Sequence, residues 1–178
     1  MALFAMLDEN NVIENVIVVS DHDVVANGGH QSETAAQWVA NKFGKNHPGK
    51  TWVEGSEDGS FRNHVPSKGG TYLPEENVFR NVKYYPSWVW NSSIADWESP
   101  IGAKPAENQW PAETAWVFWS EPKGTWVAHV ITQQEDVTIV DGHITAVNTP
   151  GIYELRDWDN TAQAFNATGT SVTRQYDF

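Results

Sequence analysis

The sequence predicts a β-rich α+β protein: an N-terminal ββαβ lobe with one short helix, followed by aromatic antiparallel β-hairpins. Three observations carry this reading. A convincing helical pattern occurs once, over residues 32–43. From Thr71 onward, short aromatic runs alternate with polar turn segments. Ten tryptophans occur in 178 residues, six of them between Trp90 and Trp126, and large rings can build the core of a small β lobe.

The first element is a hairpin. Residues 3–7 and 12–19 are apolar runs around Asp8-Glu9-Asn10-Asn11, residue types that tolerate turn geometry. Ile17, Val18 and Val19 are β-branched and suit a buried strand. Asn27-Gly28-Gly29 marks a tight turn before the helix, and no GK[ST] follows to make it a phosphate loop. In the helix, Ser32 is placed as N-cap and Glu33 favours the first turn. Ala35, Ala36, Val39, Ala40 and Phe43 share one face, and Gly44 follows as C-cap. Thr51-Trp52-Val53 is a third strand. Residues 55–70 are rich in glycine and serine and read as a loop.

Three hairpins are expected next. Thr71–Leu73 and Val78-Phe79 flank Pro74–Asn77. Trp88-Val89-Trp90 and Trp97 flank residues 91–96. Trp116–Trp119 and Trp126-Val127 flank Ser120–Thr125. The last two nearly repeat, with Trp88 to Trp97 nine apart and Trp116 to Trp126 ten apart. Residues 100–115 hold three of the nine prolines and read as an extended connector. Further on, Asp141-Gly142 between two alternating runs signals a hairpin. The strand over Ile152–Trp158 pairs with Ala164-Phe165 or with Ser171–Arg174. The expected division is 1–70, 71–128 and 129–178.

Composition excludes several functions. Twenty-three acidic against eleven basic residues give a net charge of −12, which repels a phosphate backbone and an anionic membrane surface. Without cysteine there is no disulfide scaffold, zinc–thiolate site or cysteine nucleophile. The N-terminus lacks a signal peptide's basic region and apolar run, and no stretch nears the roughly 18 apolar residues of a membrane span. Synthesis in a cytoplasm is therefore expected.

Candidate chemistry is sparse. Glu54, Glu57 and Asp58, or Glu75 and Glu76, offer paired carboxylates; only their separation could make them a glycosidase pair. Asp157-Trp158-Asp159-Asn160 alternates oxygen ligands but lacks the Gly and Glu of a calcium loop. Asp21-His22-Asp23 could hold a cation. The six histidines form no HxH or HExxH pair, and no GxSxG elbow is present. No catalytic residue, metal or cofactor is expected, and the protein reads as a non-enzyme. The tryptophans remain. In each Trp-x-aromatic run the rings share one face and valine the other, so these strands are covered on both sides or form an interface.

One resemblance covers roughly residues 2–128. The hairpin FAMLDENNVIENVIVVSD precedes a helix opening on Ser32-Glu33 and closing on Phe43-Gly44. TWV, FRN, a glycine-rich TY stretch, YPSWVWN and Trp97-Glu98-Ser99-Pro100 follow in that order. The order resembles a family of small virion-associated proteins of tailed bacteriophages, notably those infecting cyanobacteria and other marine bacteria. The chain departs from it at His64-Val65-Pro66-Ser67, which puts that loop's conformation in question; residues 129–178 carry no resemblance. The resemblance implies a structural role: an accessory or decoration protein on the exterior of capsid or tail, localised to the virion. It implies contacts with major capsid or tail proteins and a homo-oligomer or symmetric array, with no nucleic-acid or membrane partner. Exposed aromatics would supply the contact, with Tyr84, Tyr85, Trp110 and Trp119 as the expected residues. The alternative is a tail-fibre or receptor-binding module that stacks host polysaccharide on Trp rings.

Overall fold

The computed structural model describes residues 1–141 and 143–175. Its architecture is α+β and β-rich, with antiparallel hairpin sheets. The strands are β1 (Ala2–Leu7), β2 (Ile13–Val19), β3 (Thr51–Ser56), β4 (Thr71–Leu73), β5 (Val78–Arg80), β6 (Val89–Asn91) and β7 (Asp96–Glu98). Then follow β8 (Thr114–Ser120), β9 (Thr125–Gln133), β10 (Asp136–Val140), β11 (His143–Thr149), β12 (Ile152–Asp159) and β13 (Ala164–Thr173). The helices are α1 (Asp21–Ala26) and α2 (Glu33–Phe43).

Contacts group the chain into two units, Met1–Tyr84 with Trp90–Trp97, and Tyr85–Val89 with Glu98–Phe178. The expected boundary at 128 falls inside β9, and that at 70 falls next to β4, inside the first unit.

In the first unit, β1 is the centre of a three-stranded sheet, flanked by β2 and β3. Its six residues are all buried, which an apolar central strand permits. The β1–β2 turn closes on Asp8, whose Oδ1 accepts the amides of Asn10 and Val12, each at 2.8 Å, while Asn11 takes a positive φ of 61°. One core gathers Phe4, Met6, Val24, Ala35, Val39 and Trp52; a second gathers Ala5, Leu7, Ile13, Val53 and Phe79. Ser32 caps α2 by accepting from the Ala35 amide at 3.0 Å, as expected. Phe43 departs from the expected face: it is exposed and edge-on to Trp38 at 6.0 Å, while Ala35 and Val39 are buried in the core with Ala36, Trp38 and Ala40 packed against it. Helix α1 was not expected. Ser20 caps it through the Asp23 amide, and Asp21 and Asp23 occupy its first turn, where the helix dipole favours acids. Strand β3 runs on through Glu54 and Gly55 to Ser56, so the expected loop begins later than residue 55.

The second unit is built on a four-stranded sheet in the order β13-β12-β9-β8. One face carries Val117, Trp119, Trp126, Ala128, Val130, Trp158 and Phe165, packed against Tyr85, Trp88, Ile101 and Trp110. Strand β13 takes in both expected partners of β12, because a bulge between Glu154 and Arg156 lets one strand pair along both segments. Beyond this sheet, β10 and β11 pair as a separate two-stranded ribbon inserted between β9 and β12. Asp141 has the positive φ, 50°, that the Asp-Gly turn requires; Gly142 lies outside the described residues.

Candidate functional site

The tryptophans divide between core and surface. The two Trp hairpins do echo each other, but through other pairs than the spacing suggested. Trp90 meets Trp97 at 5.6 Å and 79°, and Trp119 meets Trp126 at 5.5 Å and 74°. These are edge-to-face pairs across a hairpin. The Trp90–Trp97 pair belongs to the first unit. There the Trp97 Nε1 donates to the Asn81 carbonyl at 2.8 Å, and the Arg80 guanidinium lies 5.8 and 5.4 Å from the two rings.

In the second unit Trp88 stands edge-on to Trp119 (6.2 Å) and Trp126 (5.8 Å), and Tyr85 leans on Trp88 at 5.1 Å. Glu121 fixes this arrangement. Its carboxylate accepts from the Ser87 amide and hydroxyl and from the Trp119 Nε1, each at 2.8 Å. Trp119 is therefore core, 3% exposed, and not the surface aromatic expected. Tyr85 and Trp110 are half-buried against the same core, and the Trp110 Nε1 donates to the Pro105 carbonyl at 2.8 Å. Of the four expected residues, Tyr84 alone is exposed, at 49%.

The opposite face of the sheet carries the exposed rings. Trp116 (42%) and Phe118 (37%) stand on β8. Trp116 lies 4.7 Å from His129 and 4.9 Å from Tyr153, and Phe118 lies 5.0 Å from His129. Burial among these rings pushes the His129 imidazole below its ordinary range. Strand alternation offered a signal for this face, since Trp116 and Phe118 are two apart. Which face is covered depends on the packing of Tyr85, Trp88, Ile101 and Trp110 against it, which strand alternation does not reveal.

A second surface feature is the β10–β11 ribbon. None of its described residues is buried. Val137 opposes Val147 and Ile139 opposes Ile144, with register shifts that keep all four on one face. Ile139 is 61% exposed and neighbouring Val140 52%. An isolated two-stranded ribbon is marginal in water. This one carries an apolar face and joins no hydrophobic cluster among the described residues.

The expected chemical candidates have structural occupations. Glu54 is buried; it accepts from the Gln31 amide and lies 2.6 Å from the His30 Nδ1. Asp58 accepts from the Ser60 hydroxyl (2.6 Å) and amide (3.0 Å), which hold its carboxyl down to about 2, so it is no proton donor at neutral pH. Glu75 and Glu76 are exposed on the β4–β5 turn. Asp157 pairs with Lys123 at 2.7 Å, and Asp159 accepts from the Thr161 and Ala162 amides, which lowers its pKa. Asp21 and Asp23 serve α1. Among the described residues, no three His, Asp or Glu side chains converge as metal ligands, and no helix is long and apolar enough to cross a membrane.

Comparison with protein families, with curated proteins and with solved structures gives no match.

Proposed function

We propose that this protein is a non-enzymatic structural component of a bacteriophage particle: an accessory or decoration protein held on the exterior of capsid or tail by protein–protein contacts. The motif order over residues 2–128 supports the class. The observation that carries the attachment is the β10–β11 ribbon, which extends an apolar face formed by Val137, Ile139, Ile144 and Val147. Full burial of one such side chain is worth about 1.5–3 kcal/mol, so covering the exposed half of four gives roughly 3–6 kcal/mol. Five ribbon residues reach about 17 Å, enough to lie along a neighbouring subunit. The partner would be a major capsid or tail protein. The net charge of −12 favours a basic surface around the apolar contact.

The test is electron microscopy of phage particles stripped of accessory proteins and incubated with the wild-type chain or Ile139→Asp. Among the described residues Ile139 belongs to no buried cluster, so that substitution spares the cores of both units. Density at regular positions with the wild type and none with the variant is the expected result. Absence of density with either chain removes the reading. The glycan-binding alternative rests on the exposed Trp116 ring. It predicts a saturable tryptophan quench on titration with host polysaccharide, lost in Trp116→Ala.

A further inference from the structure

We infer that β8 is a self-pairing edge: two copies of this chain associate by laying their β8 strands antiparallel, joining two four-stranded sheets into one. Strand β8 ends the sheet order β13-β12-β9-β8 and has a strand on one side only. Free edges are commonly blunted by charge, proline or a bulge. Between Thr114 and Ser120 there is no charged residue and no proline, and after the bulge at Ala115 the run Trp116–Ser120 pairs regularly. The other edges of the three- and four-stranded sheets are interrupted. Strand β13 is broken by the bulge opposite Leu155, β2 carries Glu14 and β3 carries Glu54.

The phase of the free edge follows from one bond. The Ile131 amide donates to the Glu113 carbonyl at 2.8 Å, so odd-numbered residues of β9 bond to β8. Their partners, Trp116, Phe118 and Ser120, are therefore satisfied within the sheet. Val117 and Trp119 direct their backbone N–H and C=O outward. A two-fold axis perpendicular to the sheet at Val117 makes Val117 and its symmetry mate exchange two hydrogen bonds. It sets Trp116 opposite Phe118 of the second copy, twice. That is a non-hydrogen-bonded pair, with Cα atoms about 4.5 Å apart, where cross-strand rings pack best. The two side chains brought together are the exposed rings of the sheet, at 42% and 37%.

Charge does not oppose pairing within the strand itself. In a chain of net charge −12, the paired stretch itself sets no charge against charge. Two copies that each carry −12 repel at longer range, so added salt tightens the pair. A regular run of five residues, about 17 Å long, buries less than the roughly 800 Å² per partner of a standard interface. The dimer is consequently weak, reversible and dependent on concentration. This inference does not depend on the particle-attachment reading, which uses the ribbon.

The experiment is sedimentation equilibrium of the full chain over a wide concentration range, with no particles present. The wild type is expected to rise from its monomer mass of 19.9 kDa toward the dimer. Phe118→Lys should weaken association at least tenfold. Val117→Pro should do the same, since it removes an outward N–H and leaves the bonds to β9. Register is read by oxidative cross-linking: a mixture of Trp116→Cys and Phe118→Cys chains should form a disulfide that neither forms alone. This arm also decides the matter if the edge variants unfold. A wild type that stays monomeric throughout overturns the inference. So does a dimer that survives both edge substitutions, or a mixture that fails to cross-link.

Discussion

Glu54 lies buried in β3, and its carboxylate is met by the His30 ring and the Gln31 amide, while Arg62 donates to its backbone carbonyl. Glu54→Ala removes the charged acceptor of the Gln31 amide, a bond worth about 1.5–3 kcal/mol, and the loss is read by urea denaturation. Neighbouring Gly55 is a packing position. A Cβ there would meet Phe79 and Pro66 at 2.8 Å, so Gly55→Ala is expected to destabilise as well. Neither role shows in the sequence, where Glu54 reads as one of a cluster of acids with Glu57 and Asp58 and Gly55 as the start of a loop. Asp58 acts through pH. Its folded pKa of about 2 lies below its ordinary 3.8, so its contribution is complete above pH 4 and lost as pH falls through 2. Ser60→Ala removes the main cause. The gap in melting temperature between wild type and variant should therefore close at the acid end of that window. His129 is depressed by burial, so the stability it contributes is present above 6.5 and declines as pH falls below. Its imidazole resonances, followed by NMR, should titrate below the ordinary value.

The β8–β9 hairpin separates structural from available aromatics within four residues. Trp119→Ala opens the Trp88–Trp119–Trp126 cluster and should cost about 3–5 kcal/mol. Trp116→Ala, at a position 42% exposed, should cost far less; the two melting temperatures make the comparison. Elements fixed by near neighbours were legible in the sequence: the β1–β2 hairpin from its Asp8 turn, α2 from Ser32, and the Trp hairpins from their polar gaps. Helix α1 had a usable signal in Ser20 with Asp23 three residues on, but those acids read equally well as cation ligands. The pairing of β9 with β12, across the β10–β11 insertion, leaves no local trace. Nor does alternation show that Tyr85, Trp88, Ile101 and Trp110 pack on one face of β8 and make it core. Trp119 was consequently expected at the surface and Trp116 was not singled out.

At the scale of the molecule, the chain enters and leaves its two units through the aromatic stretch that begins at Tyr84. Tyr85–Val89 belongs to the second unit and Trp90–Trp97 to the first. Neighbouring tryptophans therefore serve different units: Trp88 packs with Trp119 and Trp126 in the core of the second, while Trp90 pairs with Trp97 in the first. The density of indole in that stretch follows from this, since one short segment supplies the second unit's core with Trp88 and the first unit with the Trp90–Trp97 pair. Each unit holds its own buried clusters, so the amides of each should report its own stability. Trp88→Ala is expected to speed hydrogen exchange across β9 and leave the amides of β1 as protected as before. Phe79, fully buried in the first unit, gives the converse: Phe79→Ala should loosen β1 and spare β9. If either substitution accelerates exchange equally in both strands, the units unfold as one, and the division of the aromatic stretch between two units has no energetic meaning.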